Sequence, residues 1–112
     1  MLLFFRCVIW HVWLMADGGR SNTDIARRII ALRESMSLNQ SAFAALIDVS
    51  QPAVNNYERG YRRPDLDTAI KIQMKTGVTL DWLYLGERAG LPGRLLATLP
   101  DLSKGGSKSA QR

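Results

Sequence analysis

The stretch Gln40–Gly60, QSAFAALIDVSQPAVNNYERG, decides the fold. It divides into a helix of small and apolar residues, a break at Asp48 and Val49, and a second helix opened by Ser50 and closed by Gly60. At about 100° per residue, Ala53, Val54 and Tyr57 fall on one side of the second helix, and Gln51, Pro52, Asn55, Asn56 and Arg59 fall on the other. An outer face of amides, rather than of alternating acids and bases, suits a ligand with matched donors and acceptors. Base edges in the major groove of DNA are such a ligand.

The neighbouring residues supply the local rules for both helices. Asn39 is suited to cap the first, in which Phe43, Ala44 and Ile47 share a face and Ala44 is small enough for another backbone to approach. The break requires a residue with φ > 0, which Asp48 tolerates better than most side chains, and Val49 then turns into the core. Ser50 caps the second helix through its hydroxyl, and Pro52 sits in the first turn, where its missing N–H is not needed.

Upstream, Thr23 reads as the N-cap of an amphipathic helix with Ile25, Ile29, Leu32 and Met36 on its core face and Arg27, Arg28 and Glu34 on a solvated face. Downstream of Gly60, the basic loop YRRP ends at Pro64, and Asp65 caps a helix with Leu66, Ala69, Ile70 and Gln73 at helical spacing, terminated by Gly77. Thr79 opens a short helix containing Leu80, Trp82 and Leu83, with Asp81 in its first turn, that reads as a closing flap for the core. Pro92–Leu99, with Leu95, Leu96 and Leu99, has the length for two more turns. No run of alternating β-branched residues marks a strand. The expectation is all-α: a compact bundle of five short helices.

A chain of 112 residues holds one small domain with loose ends, and 22% charged residues are ordinary for a globular protein. The net charge of +5 is compatible with a polyanionic partner. Five basic residues, Arg88, Arg94, Lys104, Lys108 and Arg112, against the single acid Asp101 place +4 of that charge beyond residue 87. The single cysteine, Cys7, and single histidine, His11, precede the helical region, so an intrachain disulfide is excluded and neither a metal site nor a Cys/His nucleophile is expected. A reducing, cytoplasmic setting follows.

Residues 1–16, MLLFFRCVIWHVWLMA, are apolar but carry Arg6 and His11, fall short of the roughly 20 residues that span a bilayer, and lack the positive leading region of a secretory signal. The leading reading is a start of translation at Met15, the preceding residues being an artefact of start-site choice. A membrane-associating segment and a partner-binding or dimerising helix are the alternatives. Residues 17–22 read as a linker, and the final KGGSKSAQR as a disordered tail. The divisions are thus an N-terminal extension and linker over 1–22, the helical domain over 23–87, and a short helix with a basic tail over 88–112.

From Arg28 to Gly86 the chain resembles the Cro and phage-repressor (XRE-like) helix-turn-helix family. The matches are LNQ at Leu38–Gln40, VSQPAVNNYERG at Val49–Gly60, the basic loop ending at Pro64, and GVTLDWLYLGE at Gly77–Glu87. The resemblance implies a lambda-repressor-like DNA-binding domain whose helix beginning near Ser50 enters the major groove. Base-reading positions of the family match Gln51, Pro52, Asn55 and Asn56, with Gln51 able to bond N6 and N7 of adenine together. Phosphate-binding positions match Asn39, Gln40, Ser50, Arg59, Tyr61, Arg62 and Arg63. The family's structural ion pair matches Arg33 and Glu58. The chain departs from the family pattern at Ala42, which stands where Glu is favoured, at Asp48 in place of Gly, and at Gln73 and Thr76 in the fourth helix.

The function expected is a sequence-specific, DNA-binding transcriptional regulator, a repressor that occupies a two-fold symmetric operator on double-stranded DNA as a homodimer. Alternatives are an antitoxin that masks a toxin protein, with the apolar run Leu91–Leu102 as its contact, and a membrane-tethered regulator resting on residues 1–16. An enzyme is not expected, since residues 23–87 hold no His, no Cys and no phosphate-cradling glycine loop. No cofactor, metal or small-molecule ligand is expected.

Overall fold

A computed structural model describes residues 20–100 of the chain. The apolar segment 1–16, the start of the linker and the tail from residue 101 lie outside the described residues. The elements are α1 (Asn22–Ser35), α2 (Gln40–Leu46), α3 (Gln51–Glu58), α4 (Leu66–Thr76), α5 (Leu80–Leu85) and α6 (Gly93–Thr98), with no strand among the described residues. The architecture is all-helical: the described residues form six helices, the five of the expected bundle and the short helix expected within 88–112. No helix among the described residues is long and apolar enough to cross a membrane.

One side chain opens each of the first five helices. Asn39, Ser50, Asp65 and Thr79 accept from the backbone N–H groups of Ala42, Ala53, Thr68 and Trp82, satisfying donors that have no partner within the helix. The cap of α1 is Ser21 rather than Thr23: its hydroxyl oxygen accepts from the Asp24 N–H at 3.1 Å and its proton goes to the Asp24 carboxylate at 2.8 Å. Two good cap residues stand two apart in the sequence, and the reciprocal bond with Asp24 selects the earlier one, so α1 starts inside the expected linker.

The first three helices end by the same device. Leu38, Val49 and Tyr61 each donate back to the carbonyl five residues earlier, on Arg33, Ala44 and Asn56, and Ser37, Asp48 and Gly60 donate to Glu34, Ala45 and Tyr57. These are Schellman closures, which place the donating residue of the inner bond in the left-handed region. The φ values there are 58° at Ser37, 59° at Asp48 and 77° at Gly60. Only the third carries glycine. A side chain in this region costs about 1–2 kcal/mol, less for Asp, and glycine recovers it minus its extra unfolded-state entropy. Ser37→Gly is therefore expected to raise the unfolding free energy by about 0.5 kcal/mol and Asp48→Gly by a similar amount, read as higher urea midpoints at unchanged m-value. Loss of the Asp48–Lys71 ion pair subtracts little, because its carboxylate is 89% exposed.

The core joins Ile25, Ile29 and Leu32 of α1, Phe43 and Ala44 of α2 with Ile47 at its end, Val54 and Tyr57 of α3, Ala69 and Ile72 of α4, and Val78, Trp82 and Leu83. Two expectations about side-chain placement are corrected. Arg28 is 1% exposed, not solvated, and donates through Nη1 to the Leu83 carbonyl at 2.9 Å. The inward face of α4 is Thr68, Ala69, Ile72 and Thr76; Leu66, Ile70, Gln73 and Met74 face outward. Thr76 is accommodated because its hydroxyl donates to the Ile72 carbonyl at 2.7 Å and accepts from Val78 at 3.3 Å.

Leu91, Leu95 and Leu99 are buried in the same core, so the folded unit continues past residue 87 and these three leucines are not an open contact strip. Arg88 closes α6, donating to the carbonyls of Leu96, Leu99 and Pro100. Two of the cations counted with the tail, Arg88 and Arg94, thus belong to the folded part.

Candidate nucleic-acid interface

The turn between α2 and α3 sets the interface. Ala44 is 3% exposed and Val54 0%, and both lie in the core that α2 and α3 share. With Val54 and Tyr57 held inward, the opposite side of α3 faces solvent: Gln51 and Pro52 are exposed, and Asn55 and Asn56 are half-buried at its edges. Asn39, Ser50 and Gln40, at the starts of α2 and α3, flank this face.

A chain of hydrogen bonds runs beneath it. Arg33 of α1 donates through Nε and Nη2 to the two oxygens of Glu58 at 2.6 and 3.1 Å, and through Nη1 to the Leu38 carbonyl at 2.9 Å. The side chain of Glu58 is only 5% exposed, and its carboxylate holds the Arg33 guanidinium above the ordinary arginine range. The same carboxylate accepts from Gln40 Nε2 at 2.9 Å, and Gln40 Nε2 also reaches Asn55 Oδ1 at 3.4 Å. Gln40 Oε1 in turn accepts from Gln51 Nε2 at 2.7 Å. Gln40 and Gln51 are the first residues of consecutive helices, and the tight turn brings those two starts together.

The loop after α3 contributes positive charge in unequal shares. Arg59 lies over the Tyr61 ring at 5.0 Å from its centroid, and Arg62 lies 5.9 Å from that of Tyr57. Arg63 instead donates to Asn22 Oδ1 at 2.8 Å and to the Arg20 carbonyl at 3.0 Å, clamping the start of α1. Tyr84 holds the other end of the loop, its hydroxyl donating to the Pro64 carbonyl at 2.7 Å. The arginines carrying free-facing charge beside α3 are therefore Arg59 and Arg62, both exposed. The clamp by Arg63 has no local sequence signal, because its partners lie more than 40 residues away. No group of three or more His, Cys, Asp or Glu placed to hold a metal occurs among the described residues.

Chemically, the assembled face can donate and accept along one exposed line while adjacent cations contact a polyanion. Residues 29–83, which contain α2, α3 and the hydrogen-bond chain from Arg33 to Gln51, match the helix-turn-helix family model. The chain is 38% identical over 55 residues to the uncharacterized HTH-type transcriptional regulator YqaE of Bacillus subtilis, covering 49% of this chain and 47% of that protein. It is 30% identical over 59 residues to the HTH-type transcriptional regulator ImmR of the same organism, covering 53% and 46%. The chain spans about half the length of these curated relatives in each match. No solved structure matches it. Through residues 29–83, the chain carries a domain of the helix-turn-helix family.

Proposed function

We propose that the protein is a sequence-specific DNA-binding transcriptional regulator acting in the cytoplasm, a repressor that occupies a two-fold symmetric operator as a homodimer. The observation that carries this reading is the solvent-facing line Gln51, Pro52, Asn55 and Asn56 on a helix whose other side is locked in the core. Gln51 is the principal base reader, because an amide matches the N6 and N7 groups of adenine. Asn55 and Asn56 extend the reading, and Pro52 offers apolar contact to a thymine methyl. Asn39, Gln40, Ser50, Arg59, Tyr61, Arg62 and Arg63 position the phosphates, with Arg59 and Arg62 carrying most of the charge. The HTH-type regulator names of YqaE and ImmR support the same class.

An eight-residue helix reads only a few base pairs, and each good bidentate contact discriminates by about 1–3 kcal/mol. Two copies on a symmetric site supply the selectivity that one lacks. Gel filtration combined with footprinting is expected to give a dimer protecting two half-sites about one helical turn apart; a single asymmetric protected half-site contradicts it.

Readers and anchors separate in a salt titration. Gln51→Ala is expected to weaken binding to the preferred site by about 1–3 kcal/mol with the salt dependence nearly unchanged. Arg62→Ala is expected to weaken binding to every sequence and to flatten the log–log salt slope by about one. Identical behaviour of the two variants contradicts this division.

A further inference from the structure

The hydrogen-bond chain Arg33–Glu58–Gln40–Gln51 has a direction, and chemistry fixes it. A carboxylate paired with arginine can only accept. Glu58 therefore takes hydrogen bonds from Arg33 on one side and from the Gln40 amide nitrogen on the other. With its nitrogen turned to Glu58, Gln40 presents its oxygen to Gln51, and Gln51 must turn its own nitrogen inward, as the 2.7 Å contact shows. What Gln51 has left is Oε1 at its outer corner and one N–H beside it.

We infer that Glu58, held by Arg33 and acting through Gln40, is a specificity-determining positioning residue: it fixes the orientation of the Gln51 amide so that an acceptor and a neighbouring donor face the DNA in the order that fits adenine. Adenine presents the N6 amino donor beside the N7 acceptor, whereas guanine presents acceptors at both O6 and N7. An amide turned by 180° would set its nitrogen at the outer corner and its oxygen against N7, so that adenine loses both contacts while guanine keeps one, at O6. This inference rests on the reading of Gln51 as a base contact, and adds that the choice between the two purines is set one and two side chains away.

Glu58→Gln makes the test sharp: the new amide keeps its oxygen on Arg33 Nε, the closer contact at 2.6 Å, and its nitrogen takes the place of Oε1, where it gives up the 3.1 Å bond from Arg33 Nη2 and donates to Gln40. Each amide along the chain then reverses: Gln40 donates to Gln51, and the Gln51 nitrogen turns outward. A second variant, Gln40→Met, cuts the chain without touching the Arg33–Glu58 pair and leaves the Gln51 amide free to turn either way.

The experiment is selection of duplex DNA from a random pool with the full-length chain, followed by binding measurements on duplexes differing only at the position whose preference vanishes in Gln51→Ala. The wild type is expected to prefer adenine over guanine there, on the order of tenfold for a bidentate contact. Glu58→Gln is expected to shift that one position toward guanine, and Gln40→Met to bring the two purines toward parity, with preferences elsewhere in the site unchanged. Any base other than adenine at that position in the wild type overturns the inference. So does a Glu58→Gln or Gln40→Met protein that weakens all sequences alike while keeping the adenine preference, the signature of a merely structural role. Absence of any selected sequence with the wild type defeats the DNA-reading proposal itself, a distinguishable result.

Discussion

Trp82→Ala is expected to lower the unfolding free energy by about 3–5 kcal/mol, the range for emptying a buried aromatic site. The side chain is 2% exposed and lies in the cluster that joins α1, α2, α3 and α4. Helix α5 is only six residues long and is held by this packing together with the Thr79 cap, since so short a helix has no independent stability. Small domains are stable by about 5–15 kcal/mol in total, so the variant is left with a small margin. The melting temperature is expected to fall by about 15 °C or more, measured by circular dichroism at 222 nm. A drop under a few degrees would show that α5 is an appendage rather than the closing element of the core.

The second large effect is expected at Arg28. Its guanidinium meets the carbonyl of Leu83, in the last turn of α5, where backbone oxygens lack helical partners and the helix dipole favours a cation. Burial pushes Arg28 below the ordinary arginine range, with Asp24 working against the shift. Arg28→Ala removes a charged hydrogen bond and the buried stem together, for a loss of about 2–3 kcal/mol. Arg28→Met restores the stem and is expected to recover part of that loss. Urea unfolding of both variants checks the ordering. An Arg28→Ala protein within about 0.5 kcal/mol of the wild type would instead behave like a surface substitution.

Arg28 also marks where the sequence can mislead. It lies three residues after Ile25 and four before Leu32, squarely on the apolar face of α1, but a cation at that spacing reads as solvated unless its partner is known. That partner is 55 residues away. The α4 face fails for a related reason. Leu66, Ile70 and Met74 repeat every four residues and draw the eye to a stripe, yet the inner face is the less apolar set Thr68, Ala69, Ile72 and Thr76. Buried threonines keep their hydroxyls satisfied locally, as Thr76 does on Ile72, so hydropathy alone understates that face.

What was legible rests on short-range chemistry. The caps at Asn39, Ser50, Asp65 and Thr79, and the turns at Asp48, Gly60 and Gly77, each depend on residues within one turn of chain. Ser37 takes the same left-handed conformation as Asp48 and Gly60, but serine carries no signal for it. At the interface, helical spacing alone sorts α3 into an inner and an outer face. The polarity of the amide chain beneath it needs four side chains from three helices, and no single stretch of sequence contains them.

In vitro selection of random duplex DNA with the full-length chain tests most directly whether the outer face of α3 reads base edges. The predicted result is an enriched two-fold symmetric sequence with half-site centres about 10 base pairs apart, one conserved position of which loses its preference in Gln51→Ala. A pool that shows no enrichment, or an enriched sequence that Gln51→Ala selects unchanged, contradicts base reading by α3.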